Sequence, residues 1–396
     1  MSRKESEARA VLLPGKEKRV YSRHPWIFRS DIARVDGSFT PGDVVTVVSA
    51  KGHFLAKAYY NPASQIALRI MTYQEEPVDR NLIFRRVHEA VAYRRAFADL
   101  QSCRLIFAES DRLPALIVDA FGDVLVLQCL ALGMERFKQD VVDALIEEVH
   151  PAGIWERNDV PVRKLEGLEE KTGLLYGQVP DRVEMMENGI RFLVDVKEGQ
   201  KTGFFLDQKY NRAAIARLAC GRRVLDCFTH TGAFALNAAA QGAEHVCAVD
   251  VSADAINMAR SNAVLNGLSD KISFITEDVF KLLTEMAESG RCDYDLIILD
   301  PPAFTKSRRT VQDAERGYKE INMKAMRLLP RGGYLATCSC SHFMTEGLFK
   351  RMLHDAAHDA GVSLRQIEAR QQSPDHPILW GVPETYYLKF YIFQVV

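Results

Sequence analysis

The sequence predicts an α/β fold in its C-terminal half, preceded by a small β-barrel and an α+β segment. Two observations support this prediction. After Gln208, strand-like runs alternate with longer helical stretches, which is the pattern of a parallel sheet with helices on both faces. Before residue 75, short β-rich runs are broken by turn residues. At 396 residues the chain exceeds the size of one core, so two or three domains are expected.

The N-terminal segment, residues 1–75, is the predicted β-barrel. Between Val11 and Thr72 the runs VVTVVSA and HFLAKAYY follow turns at Pro41-Gly42-Asp43 and Lys51-Gly52. Residues 1–74 hold twelve Lys/Arg against six Asp/Glu, while the whole chain has a net charge of −1. The positive charge is therefore concentrated at the N-terminal end, which favours an RNA partner there, although a chance surface imbalance is the alternative.

The middle segment, residues 76–198, is predicted to be an α+β domain. A basic amphipathic helix is expected from Arg80 to Leu100 and a second helix from Met134 to Val149. Strands are expected at Ala115–Val118 and Val124–Leu130. Asn188-Gly189 lies between two alternating runs, and Asn-Gly is the strongest short signal of a hairpin.

The C-terminal segment, residues 199–396, has the elements of a Rossmann-like sheet. A helix is expected to begin after the N-cap Ser252 and to end before Gly267. Five parallel strands and two closing strands are expected at Arg223–Cys227, His245–Asp250, Ile272–Thr276, Leu296–Leu299, Tyr334–Cys338, Ser363–Ala369 and Tyr386–Val395.

Several classes of protein are disfavoured by composition. No run approaches the roughly 18 apolar residues of a membrane span, and the charged N-terminus has no apolar core behind it, so a cytoplasmic location without membrane attachment is expected. The eight cysteines show no paired framework, so neither disulfides nor a metal site are expected. Homo-oligomerisation stays open.

The loop after the first strand of the C-terminal sheet, VLDCFTHTGAF at residues 224–234, is the expected cofactor site. Asp226 ends the strand, Gly232 stands at the helix entry, and Phe228 and Thr229 lie between them. The loop lacks the GxGxxG of a dinucleotide site. An acid suits S-adenosylmethionine, which carries an ammonium group and a sulfonium but no phosphate.

Three further acids stand at strand ends in the order that such a cofactor needs. Asp250 is expected to accept the ribose hydroxyls and Asp278 the adenine amino group, while Asp300 opens the run Asp300-Pro301-Pro302-Ala303-Phe304. Strand-end aspartates also cap helices, so each assignment is weak alone. Together they predict an S-adenosylmethionine site.

The run DPPAF resembles the DPP[FY] motif of class I methyltransferases. With KTGFFLDQ at 201–208, the Asp226 loop and TCSCSH at 337–342, the chain resembles the bacterial ribosomal large subunit methyltransferase I family over its whole length. This resemblance implies an RNA-binding PUA domain at the N-terminus, S-adenosylmethionine as cofactor, cofactor contacts around Gln208, and methylation of cytosine carbon 5 in 23S ribosomal RNA.

Methylation of cytosine carbon 5 requires a cysteine thiolate that adds to carbon 6. Cys338 and Cys340 lie at the end of the fifth strand, two residues apart and therefore on the same face. Cys340 is preferred as nucleophile because it lies further out, Cys338 being the alternative. Asp300 is expected to hold the cytosine, by accepting from its amino group or from a protonated N3.

The other side chains near this run have less certain roles. Phe304 is a candidate for stacking on the base, and His342 for removing the carbon-5 proton. Lys306, Ser307, Arg308 and Arg309 form either an RNA-phosphate site or a solvated loop.

Three other functions compete with this hypothesis. An RNA methyltransferase acting on the exocyclic amine of guanine (N2) or adenine (N6) would share the acid-Pro-Pro loop but would need no cysteine. A non-catalytic RNA-binding assembly factor could retain the fold, although all the expected cofactor acids are present. A nicotinamide dehydrogenase is disfavoured because the glycine fingerprint is missing.

Overall fold

The computed structural model describes residues 8–290, 293–305 and 307–396. These residues form two compact units. Unit 1 contains the described chain as far as Met185, together with Val194–Leu206 and Pro374–Thr385. Unit 2 contains Met186–Leu193, Asp207–Ser373 and Tyr386–Val396.

Unit 1 begins with a six-stranded sheet and one short helix. Its elements are β1 (Arg9–Leu12), α1 (Lys18–Tyr21), β2 (Trp26–Ile27), β3 (Ile32–Asp36), β4 (Val44–Val48), β5 (Phe54–Tyr60) and β6 (Leu68–Thr72). The strand order is β2-β6-β5-β4-β1-β3, with β1 parallel to β4 and the other pairs antiparallel. Buried valines and alanines of β4 and β5 form its core. This half-barrel bears out the predicted N-terminal β-domain.

The rest of unit 1 contains a five-stranded sheet packed against helices. Its elements are α2 (Arg80–Phe97), β7 (Ser102–Phe107), β8 (Leu116–Phe121), β9 (Val124–Cys129), α3 (Leu132–Arg136), α4 (Lys138–Val149), β10 (Gly153–Arg157) and β11 (Thr172–Gly177). The strand order is β11-β10-β9-β8-β7. Apolar side chains of α2, α4 and β7–β9 share one core, which confirms the predicted α+β fold.

A two-stranded hairpin follows, made of β12 (Val183–Glu187) and β13 (Ile190–Val194). Its turn residues Asn188 and Gly189 have φ angles of 53° and 78°. Two consecutive positive φ angles define the tight hairpin turn that Asn-Gly favours, so this prediction is confirmed.

Unit 2 contains a seven-stranded sheet with helices between its parallel strands. The elements are α5 (Lys209–Ala219), β14 (Arg223–Cys227), α6 (Ala233–Ala240), β15 (His245–Asp250), α7 (Ala253–Leu265), β16 (Ile272–Thr276), α8 (Val279–Ser289), β17 (Leu296–Leu299), α9 (Val311–Leu328), β18 (Tyr334–Ser339), α10 (Glu346–Ala360), β19 (Leu364–Arg370) and β20 (Lys389–Val395).

The strand order β16-β15-β14-β17-β18-β20-β19 confirms the predicted parallel sheet with an antiparallel finish. The chain order reverses between β14 and β17, and ligands of such sheets bind beyond the carboxyl ends of the strands at this point. Ser252 caps α7, as expected, by accepting from the amide of Ala255 at 3.2 Å. The sheet therefore directs the ends of β14 and β17 into one crevice.

Several predicted boundaries were wrong. The strand expected to end at Val118 continues to Phe121. The helix expected from Arg80 to Leu100 ends at Phe97, because Asp99 starts a turn by accepting from the amide of Gln101. The helix expected at Met134–Val149 is two helices, because Phe137 leaves the helical conformation (ψ 2°) and packs on the core.

The last strand begins at Lys389, three residues later than predicted from Tyr386. The amides of Tyr387 and Leu388 both point to the side-chain oxygen of Gln372 instead of the neighbouring strand. No helix among the described residues is both long enough and apolar enough to span a bilayer.

Candidate active site

The reversal point of the unit 2 sheet brings two aspartates together. Asp226 lies near the end of β14, and Asp300 directly follows β17, the strand paired with β14. Burial is the main cause of the raised pKa of Asp226, and the nearby charge of Asp300 acts in the same direction. Both acids were predicted from the sequence to be at the site.

Asp226 is completely buried and organises the loop after β14. One carboxylate oxygen accepts from the hydroxyl of Thr229 at 2.5 Å and from the amide of Ala235 at 2.9 Å. Burial raises the pKa of Asp226 to about 7. Its other oxygen, Oδ1, has no hydrogen-bond partner among the described residues. A buried acceptor without a donor is the kind of group that a ligand's ammonium would satisfy.

The backbone of this loop is strained. Phe228, His230 and Gly232 have φ angles of 62°, 51° and 85°, and two of them are not glycine. A β-carbon on Gly232 would lie 3.0 Å from the β-carbon of Ala259, so the residue also needs to be small. Left-handed non-glycine residues concentrate at functional sites, where the surrounding structure maintains the strain. The sequence did not reveal this strain.

Asp250 and Asp278 hold local turns. Asp250 accepts from the amides of His230 and Ser252, each at 2.9 Å. Asp278 is exposed and caps α8 by accepting from the amide of Lys281 at 3.1 Å. A carboxylate has about four acceptor positions, so both roles leave room for a ligand's hydroxyl or amino group. Their predicted cofactor contacts remain predictions.

Gln208 is buried at the same reversal point. Its side-chain amide donates to Asp300 Oδ1 at 3.1 Å and to Cys338 Sγ at 3.4 Å, and its oxygen accepts from Asn211 at 2.6 Å. The structure thus places Gln208 beside the predicted catalytic groups. Its predicted contact with the cofactor also remains a prediction.

The two cysteines of TCSCSH differ in their surroundings. Cys338 is completely buried, and its thiol donates to Asp300 Oδ1 at 2.8 Å. Burial and the charge of Asp300 raise the pKa of Cys338 well above its ordinary value. The protonated thiol is therefore the stable form of Cys338.

Cys340 is partly exposed and lies just beyond the end of β18. Its thiol makes a long contact, 4.0 Å, with the carbonyl oxygen of Pro301. The next residue, Ser341, donates to the carbonyl of Thr305 at 2.8 Å and so ties this turn to the loop after β17. Cys340 is the more accessible thiol at the site.

Phe304 and His342, which were predicted to act on the base, lie in different surroundings. Phe304 packs on Phe228, Phe280 and Tyr318 at ring-centroid distances of 6.5, 5.7 and 4.5 Å, so its ring belongs to an aromatic cluster. His342 is exposed, next to Phe343. Lys306 lies outside the described residues.

Lys389 is a functional candidate that the sequence reasoning missed. It is 2% exposed, and its ammonium group donates to the carbonyls of Ser341 and Tyr387 at 2.6 and 2.7 Å. The sequence did offer one signal, which is that Lys389 begins the apolar run KFYIF. Such a run predicts a buried strand, and lysine is rarely fully buried unless it has a specific role.

Comparisons with known proteins identify the family. Residues 168–391, just over half of the chain, match the S-adenosylmethionine-dependent methyltransferase family, and residues 11–73 match a PUA-like domain. A "Ribosomal RNA large subunit methyltransferase I" from Aeromonas salmonicida is 44% identical over 385 residues, which cover 96% of this chain and 97% of the relative. The protein of the same name from Cronobacter sakazakii is 42% identical, covering 98% and 99%.

The chain belongs to the ribosomal RNA large subunit methyltransferase I family. Solved structures agree at the level of the fold. A methyltransferase structure from Streptococcus mutans has a TM-score of 0.82 at 21% identity, covering 98% of this chain and all of that chain. A second methyltransferase structure, complexed with SAH, has a TM-score of 0.84 at 21% identity and the same coverage.

S-adenosylmethionine is the cofactor of this methyltransferase family. The residues of the site fit it. Oδ1 of Asp226 is a buried acceptor without a donor among the described residues, and Asp250 stands at the end of the adjacent strand. The loop after β14 and the first turn of α6 donate backbone amides to these acids, from His230 to Asp250 and from Ala235 to Asp226. A set of acids without a glycine-rich phosphate cradle suits a cationic ligand that carries no phosphate.

Proposed function

We propose that this protein methylates carbon 5 of a cytosine in large-subunit ribosomal RNA through a covalent adduct with Cys340. The observation that carries this proposal is the contrast between the two thiols at the reversal point. Cys340 is partly exposed beside the Asp300-Pro301 loop, whereas Cys338 is buried and donates a hydrogen bond to Asp300. An exocyclic-amine methyltransferase would need neither thiol.

Methylation of carbon 5 through a thiolate adduct proceeds in three steps, of which Cys340 performs the first. The Cys340 thiolate forms a bond to carbon 6 of the cytosine, and the electron pair displaced from the 5,6 double bond makes carbon 5 nucleophilic. When bound, S-adenosylmethionine supplies the methyl group from its sulfonium and is left as S-adenosylhomocysteine. A base then removes the carbon-5 proton, whose electron pair restores the 5,6 double bond. The bond between carbon 6 and the Cys340 sulfur breaks at the same time, which restores the thiolate.

Asp300 has the position of the group that binds the base. Burial raises its pKa, while the donors Cys338 and Gln208 oppose this shift. Both donors bond to Oδ1 of Asp300. Asp300 follows β17, which pairs with β14, the strand that contains Asp226. We infer that Asp300 accepts from the cytosine amino group or from a protonated N3, while Gln208 fixes the orientation of its carboxylate.

Unit 1 has a surface suited to the same RNA. Trp380 is 97% exposed, and a β-carbon on the next residue, Gly381, would lie 3.2 Å from the carbonyl of Ser22. Near this turn, Tyr21 is 64% exposed and Arg23 stacks over Tyr73 at 4.7 Å. Exposed aromatic rings beside arginines are typical of surfaces on which bases stack and phosphates bind. We infer that an unpaired RNA segment contacts Trp380.

The test is a methylation assay with product identification. The purified protein is incubated with methyl-labelled S-adenosylmethionine and ribosomal RNA from cells lacking the protein, and the labelled nucleoside is identified by mass spectrometry. Cys340→Ser, Cys338→Ser and Cys220→Ser are assayed in parallel. Cys220 is an exposed cysteine of unit 2 and serves as the matched control.

We expect label in 5-methylcytidine, its loss in Cys340→Ser and its retention in Cys220→Ser. Label lost only in Cys338→Ser would move the nucleophile to the buried thiol. Label in an N-methylated purine that is indifferent to all three substitutions would refute the carbon-5 proposal and favour the exocyclic-amine reaction.

A further inference from the structure

Lys389 is a buried cation without an acidic partner. Among the described residues, no carboxylate lies within ion-pair distance of its ammonium group, which donates to the carbonyls of Ser341 and Tyr387. Buried charges in proteins are normally paired, because removal of a lone charge from water is costly. Within the described part of the resting protein, this lysine therefore has no directly bonded counter-charge.

The position of Lys389 connects it with the reactive thiol. It is the first residue of β20 and pairs with Ser339 of β18, one residue before Cys340. Its bond to the carbonyl of Ser341 holds the residue that follows Cys340. The lysine thus supports the turn that carries the thiol from both sides of Cys340.

Electrostatics couple the same two groups. Burial lowers the pKa of Lys389 to about 8, and the charges of Cys340, Cys338 and Glu346 act in the opposite direction. At neutral pH most of the molecules therefore still carry the ammonium charge. Glu346 is already bound to Lys350 and to the hydroxyl of Tyr391 at 2.7 and 2.8 Å.

We propose that Lys389 is a positioning residue whose buried ammonium group stabilises the thiolate form of Cys340. The counter-charge that the lysine lacks in the resting protein is the one that forms when Cys340 loses its proton. This inference deepens the proposed function, since it rests on Cys340 being the nucleophile.

Among the described residues, the groups coupled electrostatically to Cys340 or to Lys389 include Cys338 on β18, Tyr318 on α9 and Glu346 on α10. Burial raises the pKa of the Cys338 thiol and of the Tyr318 phenol, so both are neutral, and Glu346 is an acid. His342, two residues after Cys340, is exposed to solvent. Of these groups, Lys389 is the buried cation. Removal of the lysine charge should therefore shift the thiol toward its protonated form.

The test measures the thiol directly. Cys338→Ser is used as the background, because both cysteines lie on one tryptic peptide. The rate of Cys340 alkylation by iodoacetamide is followed by mass spectrometry between pH 5 and 10, with Lys389→Met, Lys389→Gln and Lys389→Arg compared. Lys281→Met, which removes an exposed lysine on α8, is the charge-matched control. Calorimetric S-adenosylmethionine binding selects the variants that retain the fold.

We expect the alkylation midpoint to rise by about one pH unit or more in Lys389→Met and Lys389→Gln, with about tenfold slower alkylation at pH 7. Lys389→Arg, which keeps the charge, should restore most of the rate, and Lys281→Met should leave it unchanged. An unchanged midpoint in a folded Met or Gln variant would overturn the proposal. Because this readout needs no RNA, its failure can be distinguished from failure of the carbon-5 assignment.

Discussion

Both units bury cations, and Arg69 of unit 1 and Lys389 of unit 2 have different surroundings. In unit 1, Arg69 lies 3.3 Å from Glu109 and 3.3 Å from Glu166, and Glu166 also accepts from Ser64 and Asn61. In unit 2, Lys389 has two carbonyl oxygens and the turn that carries Cys340. The first cation is bonded to two acids, whereas the acceptors bonded to the second, among the described residues, are neutral carbonyls.

We infer from this difference that Arg69 stabilises the fold, whereas the charge of Lys389 can still interact with an anion that forms during the reaction. Loss of one partner from a buried ion pair leaves an uncompensated charge, so the unit 1 network is sensitive to substitution. A cation bound only to carbonyls interacts more strongly with any negative charge that forms nearby. Four predictions test this comparison.

The largest expected effect is on turnover. Cys340→Ser should reduce the methylation rate at least about a thousandfold, because an alcohol does not add to carbon 6 at neutral pH. Single-turnover transfer of labelled methyl groups to ribosomal RNA measures it. S-adenosylmethionine affinity should stay within a factor of about three, since the strand-end acids are untouched. Wild-type turnover in Cys340→Ser would show that no Cys340 thiolate takes part in the reaction, and Lys389 would then have no anion to stabilise.

The second prediction contrasts the cations by stability. Arg69→Met should lower the free energy of unfolding by about 3–5 kcal/mol, because two buried carboxylates lose their partner. Lys389→Met should change it by about 1 kcal/mol or less, since removal of an unpaired buried charge offsets the loss of two hydrogen bonds. Urea unfolding followed by circular dichroism measures both. Equal losses in the two variants would contradict the comparison.

The third prediction concerns Asp226, a buried acid without a cation. Its pKa is raised to about 7, so between about pH 4 and pH 7 the folded protein binds a proton that the unfolded chain has released, and stability falls as pH rises through this window. Asp226→Asn removes this loss. The variant should be about 1–3 kcal/mol more stable than the wild type at pH 8 and equal to it near pH 4.

The same substitution should weaken S-adenosylmethionine binding at least about tenfold, because the acceptor for the ammonium loses its charge. Unfolding at the two pH values and calorimetry of the cofactor check the two effects separately. Asp254→Asn, at an exposed acid of α7, is the control and should change neither quantity. A lower free energy of unfolding for Asp226→Asn than for the wild type at pH 8 would contradict this prediction, because it would show that ionisation of Asp226 does not destabilise the fold.

The smallest expected effect is on RNA affinity. Trp380→Ala should weaken binding of a ribosomal RNA fragment about tenfold through loss of one stacking contact, without a change in cofactor affinity. Filter binding at fixed salt measures it. Leu165→Ala, at another exposed apolar side chain of unit 1, is the control. Equal affinities of the Trp380 and Leu165 variants would remove unit 1 from the RNA site.

Much of unit 2 was readable from the sequence because its signals are local. The strands Arg223–Cys227, His245–Asp250, Ile272–Thr276 and Leu296–Leu299 were predicted with their observed limits. Buried parallel strands are continuous apolar runs, and strand-end acids mark the edge of the sheet. The boundaries that failed depended on distant partners, such as Gln372 holding the amides before β20.

The candidate site was only partly readable for the same reason. The acids and cysteines carry their chemistry in their residue type. The burial of Lys389, the positive φ of Phe228 and His230, and the thiol–carboxylate bond of Cys338 arise from packing between segments far apart in sequence. No pattern within one segment specifies such contacts.

The order of strands at the edge of the unit 2 sheet affects how the enzyme is made. β20 lies between β18 and β19, although it follows both in the chain. On the ribosome, β18 can pair with β17 at once but gains its second neighbour only after β20 has been synthesised, and Lys389 arrives in that same strand. On our proposal, the Cys340 thiol is synthesised before the cation that stabilises its thiolate, so a nascent chain carries an unactivated cysteine until β20 is in place.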